Sequence, residues 1–304
     1  MRLSAYETSM YLAQMLDPES TEYSLNFYFT IVGAREEEVE HAIREMVANH
    51  ECLRSYYREQ DGEPVRIVSD EAPSIRWETA DSEQEVRERA STSLPVFSLK
   101  TVPVRFIGYM LPDCSIILNL QIHHIAIDGR SAMLFTQELY DRLRGHSVAA
   151  EPDLSDRTGD TEDYETGRKF YHSLFPDGIP VAEMPLRGQR PKNHPGTDKL
   201  LTLQFDKTEF SKISSAARNY DVTTFSLLLS ALSITLSMYC GSEDMVIGFP
   251  VDMRKENEKN MAGMFVNTGI IRLKPQGNRP VDEYLREVAQ LLRECSRNRP
   301  LPMA

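Results

Sequence analysis

Gln121-Ile122-His123-His124-Ile125-Ala126-Ile127-Asp128-Gly129-Arg130-Ser131 is the stretch on which the reading of this chain turns. Before it, Ile116, Leu118, Leu120 and Ile122 share one register, which His124 continues, and Asn119, Gln121 and His123 share the other. A period of two is a strand. After it, Ser131 to Leu143 has helical periodicity, with Ser131 read as the N-cap rather than a nucleophile. The polar knot thus lies where a strand gives way to a helix. Imidazole titrates near neutral pH, so it suits proton transfer from an attacking nucleophile. Asp128 is suited to hold a neighbouring His or Arg, and Gly129 lets the backbone bend or another group approach. Neighbouring strand residues point to opposite faces, so at most one histidine looks into a given pocket. Alternation separates His123 from His124 without choosing between a catalytic and a structural role. No third ligand recurs at metal spacing, so no metal site is expected.

Outward from this stretch the chain is α/β. Ser4 and Glu7 form a capping-box start to a helix over Ser4–Leu16. Ser24–Val32 reads as a strand, Glu36–Asn49 as an amphipathic helix, and Leu53–Tyr57 with Val65–Val68 as a hairpin around Asp61-Gly62. Asp81–Ser93 is a charged surface helix, and Val102–Leu111 a strand turning at Pro112-Asp113 into the one above. The hairpins make the sheet mixed rather than purely parallel. Only Asp163–Leu174 looks helical in the Pro-rich, charged region that follows, and residues 176–198 form the expected linker between lobes 1–175 and 199–304. Beyond it come a strand (Leu200–Phe205), a helix (Lys207–Asn219), a helix apolar nearly all round and therefore expected buried (Thr223–Tyr239), strands Asp244–Phe249 and Gly269–Leu273, and a last helix (Val281–Cys295).

Composition bounds the function. The 304 residues carry 34 Lys+Arg against 46 Asp+Glu, a formal charge of -12, which argues against a general nucleic-acid or anionic-membrane binder. With 41% hydrophobic and 26% charged residues the chain is globular rather than disordered. Cys52, Cys114, Cys240 and Cys295 are scattered and form no C-x-x-C pair, so reduced thiols and a cytoplasmic location are expected. No G-x-S-x-G elbow supports hydrolase chemistry.

The order H-H-x-x-x-D-G after a strand resembles the signature of condensation domains of non-ribosomal peptide synthetases, in the superfamily of chloramphenicol acetyltransferase-like acyltransferases. Further stretches follow in the right order. Ser4 to Leu12 looks like the family's first motif, with Tyr6 and Glu7 where Ala and Gln are usual. Asn49-His50-Glu51-Cys52-Leu53-Arg54-Ser55 resembles R-H-E-x-L-R-T, and Asp163-Tyr164 resembles the tyrosine-rich fourth motif. Ile247 to Arg254 resembles G-x-P-x-x-x-R, and Gly263-Met264-Phe265-Val266-Asn267-Thr268 matches G-x-F-V-N-T.

The resemblance implies two acetyltransferase-like lobes in a V with a tunnel between them. Donor and acceptor carrier proteins each present a phosphopantetheine arm, and no cofactor is bound directly. The acceptor amine attacks the donor thioester and a peptide bond forms. Carried over, His124 lines the tunnel as general base or positioning group, and the Gly129 N–H helps the developing oxyanion. His123 and Asp128 become structural. Asp128 is expected to pair with Arg254, with Arg54 as the alternative. Asn267 and Ser131 are placed along the tunnel, Asn267 as binding group or loop staple. The chain ends before the family's usual C-terminal part, so the second lobe is expected incomplete, and its open sheet edge is expected to favour a homodimer. Adjacent synthetase domains are the other expected partners. The alternatives are an epimerisation or free-acceptor acyltransferase relative, or a non-catalytic carrier-docking module.

Overall fold

Strand β6 (Ile116–His123) is buried along its whole length, and the reason is its place in the sheet. The computed structural model describes residues 1–92, 94–151, 164–185, 188 and 201–298. In it β6 is an inner strand, between β1 (Ser24–Ile31) and β5 (Val104–Met110), with β4 (Ile75–Thr79) outermost in the order β1-β6-β5-β4. β1 and β5 run antiparallel to β6, whereas β4 is parallel to β5. The sheet is mixed, as expected, and the mixing comes from the parallel β4–β5 pair. β4 was not legible in the alternation; it carries Trp77, whose register partner on β5 is Gly108.

Helices cover both faces of the sheet. Ile116, Leu118, Leu120 and Ile122 meet Val39, Ile43, Met46 and Val47 of α2 (Glu36–Asn49) and Phe135 and Leu139 of α4 (Gly129–Leu143). On the other face Ile117 packs with Ile107, Tyr109 and Val86, the last from α3 (Glu83–Thr92). A β-hairpin, β2 (Ser55–Gln60) and β3 (Glu63–Val68), turns at Asp61-Gly62. Both turn residues have positive φ, 55° and 81°, as a tight two-residue turn needs. Helix α1 (Ala5–Leu16) starts at the Ser4/Glu7 capping box. There Glu7 also meets Arg66 of β3 in a buried ion pair of 3.3 Å.

Among the described residues two compact units are distinguished: 1–162 with 252–267, and 163–251 with 268–301. The second contains α5 (Tyr164–Leu174), α6 (Lys207–Asn219), α7 (Thr224–Cys240), α8 (Val281–Arg297) and most of the two-stranded sheet β7 (Met245–Asp252) and β8 (Val266–Leu273). Its core joins Leu229, Phe249, Ile271, Leu273, Tyr284, Val288 and Leu292.

Three sequence expectations are corrected. Residues 201–205 form no strand: Leu201 and Leu203 are 92% and 80% exposed. A strand needs a neighbour for its N–H and C=O groups, and among the described residues none pairs with this segment. Helix α7 is not buried all round. Its packed side is the small-residue stripe Ser226, Ser230 and Ser233 with Leu229, where the Ser233 hydroxyl lies 2.6 Å from the Tyr284 hydroxyl. Phe225, Leu228 and Leu232 remain exposed, because among the described residues the two-stranded sheet, α6 and α8 leave that side of the helix uncovered. Finally, α4 starts at Gly129 with Asp128 as N-cap; Ser131 lies in the first turn and gives its N–H to Asp128. No single described helix is long and apolar enough to cross a bilayer. Asp163, Leu200 and the chain end at 299–304 lie outside the described residues.

Candidate active site

β6 ends at His123, so the two histidines differ by more than the face they occupy. His123 is 1% exposed. Its Nε2 lies 2.9 Å from Oε1 of Gln14 on α1, and its Nδ1 accepts the Ile125 N–H at 3.0 Å. Burial, and next the neighbouring His124, lower its pKa to about 4, so at neutral pH the ring is uncharged.

His124 has left the ladder and is half-buried. Its backbone N–H donates to the Tyr23 carbonyl at 2.8 Å. Its ring Nδ1 lies 2.8 Å from the Ile127 carbonyl. A carbonyl only accepts, so Nδ1 carries the hydrogen. In the neutral ring Nε2 then keeps its lone pair, the form a general base needs.

Asp128 is the hub of the loop. Its carboxylate accepts from the Ser131 N–H and hydroxyl, each at 2.9 Å, and from the Phe265 N–H at 3.1 Å. Arg254 adds a fork, Nη1 to Oδ2 at 2.6 Å and Nη2 to Oδ1 at 2.9 Å. Burial raises the carboxyl pKa, but the Arg254 hydrogen bond and charge outweigh it, and the net shift is downward. The guanidinium is also bonded to the Met261 carbonyl and lies 4.2 Å from the Phe265 ring centroid. Arg254 is therefore the partner of Asp128; Arg54 instead donates to the Ser69 carbonyl at 3.2 Å and ties the hairpin's base.

Ser131 is fully buried, its hydroxyl engaged with Asp128, Arg254 and both backbone groups of Gly263. Gly263 has φ +152°, and a Cβ there would lie 2.9 Å from the Phe265 ring, so both conformation and space demand glycine. Gly129 is different. Its φ is not positive and a Cβ would meet nothing within 4 Å. It is the first residue of α4, where an N–H has no intrahelical acceptor, and it is exposed. Asn267 is buried on β8.

Two groups escaped the sequence reading. One is Gln14, a polar residue on an otherwise ordinary helix. The other surrounds His50, within the stretch that resembles R-H-E-x-L-R-T. His50 Nε2 lies 2.6 Å from Glu138 on α4, and Nδ1 lies 3.0 Å from Glu151, near enough for charge pairing but not aligned as a hydrogen bond. Burial opposes a charge on His50, yet the two carboxylates outweigh it and raise its pKa to about 9. Glu151 in turn accepts the Ala262 N–H, one residue before Gly263. No spacing rule joins positions 50, 138, 151 and 262; folding does.

With this geometry in hand, comparisons with known proteins are specific. The family model described as Condensation domain matches residues 1–304. The chain is 29% identical over 297 residues to bacitracin synthase 2 of Bacillus licheniformis, covering 94% of this chain and 11% of that protein. It is 28% identical over 299 residues to tyrocidine synthase 2 of Brevibacillus parabrevis, covering 94% and 8%. Among solved structures, the first condensation domain of the calcium-dependent antibiotic synthetase, in complex with a substrate analogue, superposes with a TM-score of 0.82 at 22% identity, over 97% of this chain and 74% of that one. A four-domain nonribosomal peptide synthetase bound to AMP and glycine gives 0.84 at 19% identity, over 99% of this chain and 24% of that one. The chain thus spans a small part of the synthases it matches.

Proposed function

From a chain that belongs to the Condensation domain family, whose members form amide bonds, we infer peptide-bond formation between two carrier-borne substrates, with His124 as the proton-transfer group. One observation carries this reading: the Ile127 carbonyl takes the Nδ1 hydrogen of a half-exposed imidazole and leaves Nε2 with its lone pair. The substrates are a donor acyl or peptidyl thioester and an acceptor aminoacyl thioester, each on the phosphopantetheine arm of a carrier protein. The acceptor amine attacks the donor carbonyl carbon, and Nε2 takes a proton from the amine nitrogen. The tetrahedral oxyanion gains the backbone N–H of Gly129, a first-turn amide with no intrahelical acceptor. On collapse the C–S bond breaks, and the departing thiolate takes the proton back from Nε2. Tethering both reactants supplies much of the acceleration, because the step becomes effectively unimolecular. Carrier proteins and neighbouring synthetase domains are the partners, and the cytosol is the location.

The test incubates donor- and acceptor-loaded carrier proteins with wild type and with His124→Ala. Dipeptide from wild type, and a loss of about 10²- to 10⁴-fold in the variant, is the expected result. Stereoinversion without coupling, or carrier binding without turnover, overturns it in favour of the epimerisation or docking reading. The expected homodimer stays within the proposal on the exposure of Phe225, Leu228 and Leu232; sedimentation velocity giving only monomer at high concentration refutes that part.

A further inference from the structure

We infer that Gln14 is a positioning residue for His124, acting through the tautomer of His123. Gln14 is 1% exposed on α1. Its Nε2 faces three carbonyls in the turn after the helix, those of Asp17 at 3.3 Å, Pro18 at 3.1 Å and Ser20 at 3.3 Å. Carbonyls only accept, so this end of the side chain is the NH2 and the opposite end is the oxygen. That oxygen meets His123 Nε2 at 2.9 Å. Being an acceptor, it requires a hydrogen on Nε2. A neutral ring with a hydrogen on Nε2 has a lone pair on Nδ1, and Nδ1 is where the Ile125 N–H arrives, at 3.0 Å. The polarity of one turn is thus transmitted through an amide and an imidazole to the backbone beyond His124.

The consequence falls on His124 because both peptide groups beside it are held. Its own N–H goes to Tyr23, and the next N–H goes to His123. The Ile125 carbonyl also accepts from the Tyr57 hydroxyl at 3.3 Å. If His123 carried its hydrogen on Nδ1, or on both nitrogens, the Ile125 N–H would face a donor and be left buried and unpaired, an arrangement native structures avoid. The loop would turn, and the Ile127 carbonyl would no longer meet the His124 Nδ1. The low pKa of His123 agrees with this chain of donors, since it keeps the ring from becoming a double donor.

The part concerning rate rests on the reading of His124 above; the part concerning tautomers needs no turnover. The experiment uses the full chain with ¹⁵N-labelled histidine, wild type and Gln14→Met, a replacement of similar length that keeps helix propensity. Imidazole ¹⁵N correlation spectra near neutral pH should show wild-type His123 with hydrogen on Nε2 and His124 with hydrogen on Nδ1. In Gln14→Met a second His123 tautomer should appear and the His124 ring signals should move. The kcat for dipeptide formation should fall roughly tenfold to a hundredfold, the size expected for a displaced catalytic group, with KM for the acceptor within about threefold. In a His123→Asn background the same Gln14 change should cost less than about threefold, because its route to His124 is already cut.

Wild-type His123 protonated on Nδ1, unchanged histidine spectra in Gln14→Met, or equal losses in the two backgrounds would each overturn the proposal. If Gln14→Met does not fold, Gln14→Glu is read instead. A protonated Glu oxygen can serve the three carbonyls while the other oxygen still accepts from His123, so the Nε2–H tautomer should persist, and a His123 that moves its hydrogen to Nδ1 refutes the coupling. Spectra as expected with no coupling by wild type would sink the proposed reaction and leave the positioning role standing.

Discussion

Asp128 and Arg254, 126 residues apart in sequence, meet through two hydrogen bonds of 2.6 and 2.9 Å, with side chains 2% and 1% exposed. The pair joins the start of α4 to the segment 252–267. It gives the carboxylate a full complement of donors, which is what a buried charge requires.

Removing either partner strands the other. Asp128→Ala and Arg254→Ala should each lower unfolding free energy by about 3–5 kcal/mol, measured by urea denaturation. Arg254→Lys should recover little, since one ammonium cannot reproduce the two-pronged contact. A lysine variant with wild-type stability would refute the bidentate account.

The His50 cluster makes stability depend on pH in a definite direction. Its folded pKa, about 9, lies above the ordinary value of 6.5. The folded state therefore binds the proton more tightly, and this contribution is fully present below about pH 6.5. It is lost as pH rises through about 9, and its size is on the order of 3 kcal/mol. Glu138→Gln weakens the pull on the proton, so the gap between wild type and variant should close from about pH 6 to about pH 10. Urea midpoints across that range read it directly, and a constant gap would contradict the assignment.

Gly108 is fixed by its neighbour. A methyl group at 108 would overlap the Trp77 ring on the adjacent strand. Gly108→Ala should cost about 1–3 kcal/mol in thermal or chemical unfolding. Trp77→Leu combined with it should cost less than the sum of the two single changes, and strict additivity would argue against the contact.

Gly263→Ala tests the loop that carries the Ser131 contacts. The φ of +152° and the close Phe265 ring both oppose a side chain. A loss of about 1–3 kcal/mol is expected. Faster amide exchange at 263 and 265 should accompany it, because these N–H groups donate to Ser131 and Asp128. Unchanged exchange would show that the loop tolerates the alanine.

Local signals were legible wherever one segment decides its own structure. The Ser4/Glu7 capping box, the Asp61-Gly62 turn and α2 at Glu36–Asn49 were read from short-range chemistry and are found there. The misreadings share a cause. Residues 201–205 alternate like a strand but have no described partner, and α7 is apolar around its circumference but covered on one side. Alternation and hydrophobicity report what a segment is able to bury, whereas the neighbours decide what it does bury. Ser131 was misread as an N-cap because Asp128, three residues earlier, is as good a cap and also has a cation to meet.

By itself the sequence determined the α/β class, the strand-to-helix setting of the histidine pair and the motif order that marks the family, because each is written in contiguous residues. Only the tertiary structure decided that Arg254 rather than Arg54 reaches Asp128, that Gln14 orients His123, and that Glu138 and Glu151 enclose His50. Those are contacts between groups scores of residues apart. Hydrogen bonds and ion pairs act over a few ångströms, so such partners exist only after the backbone has brought them together.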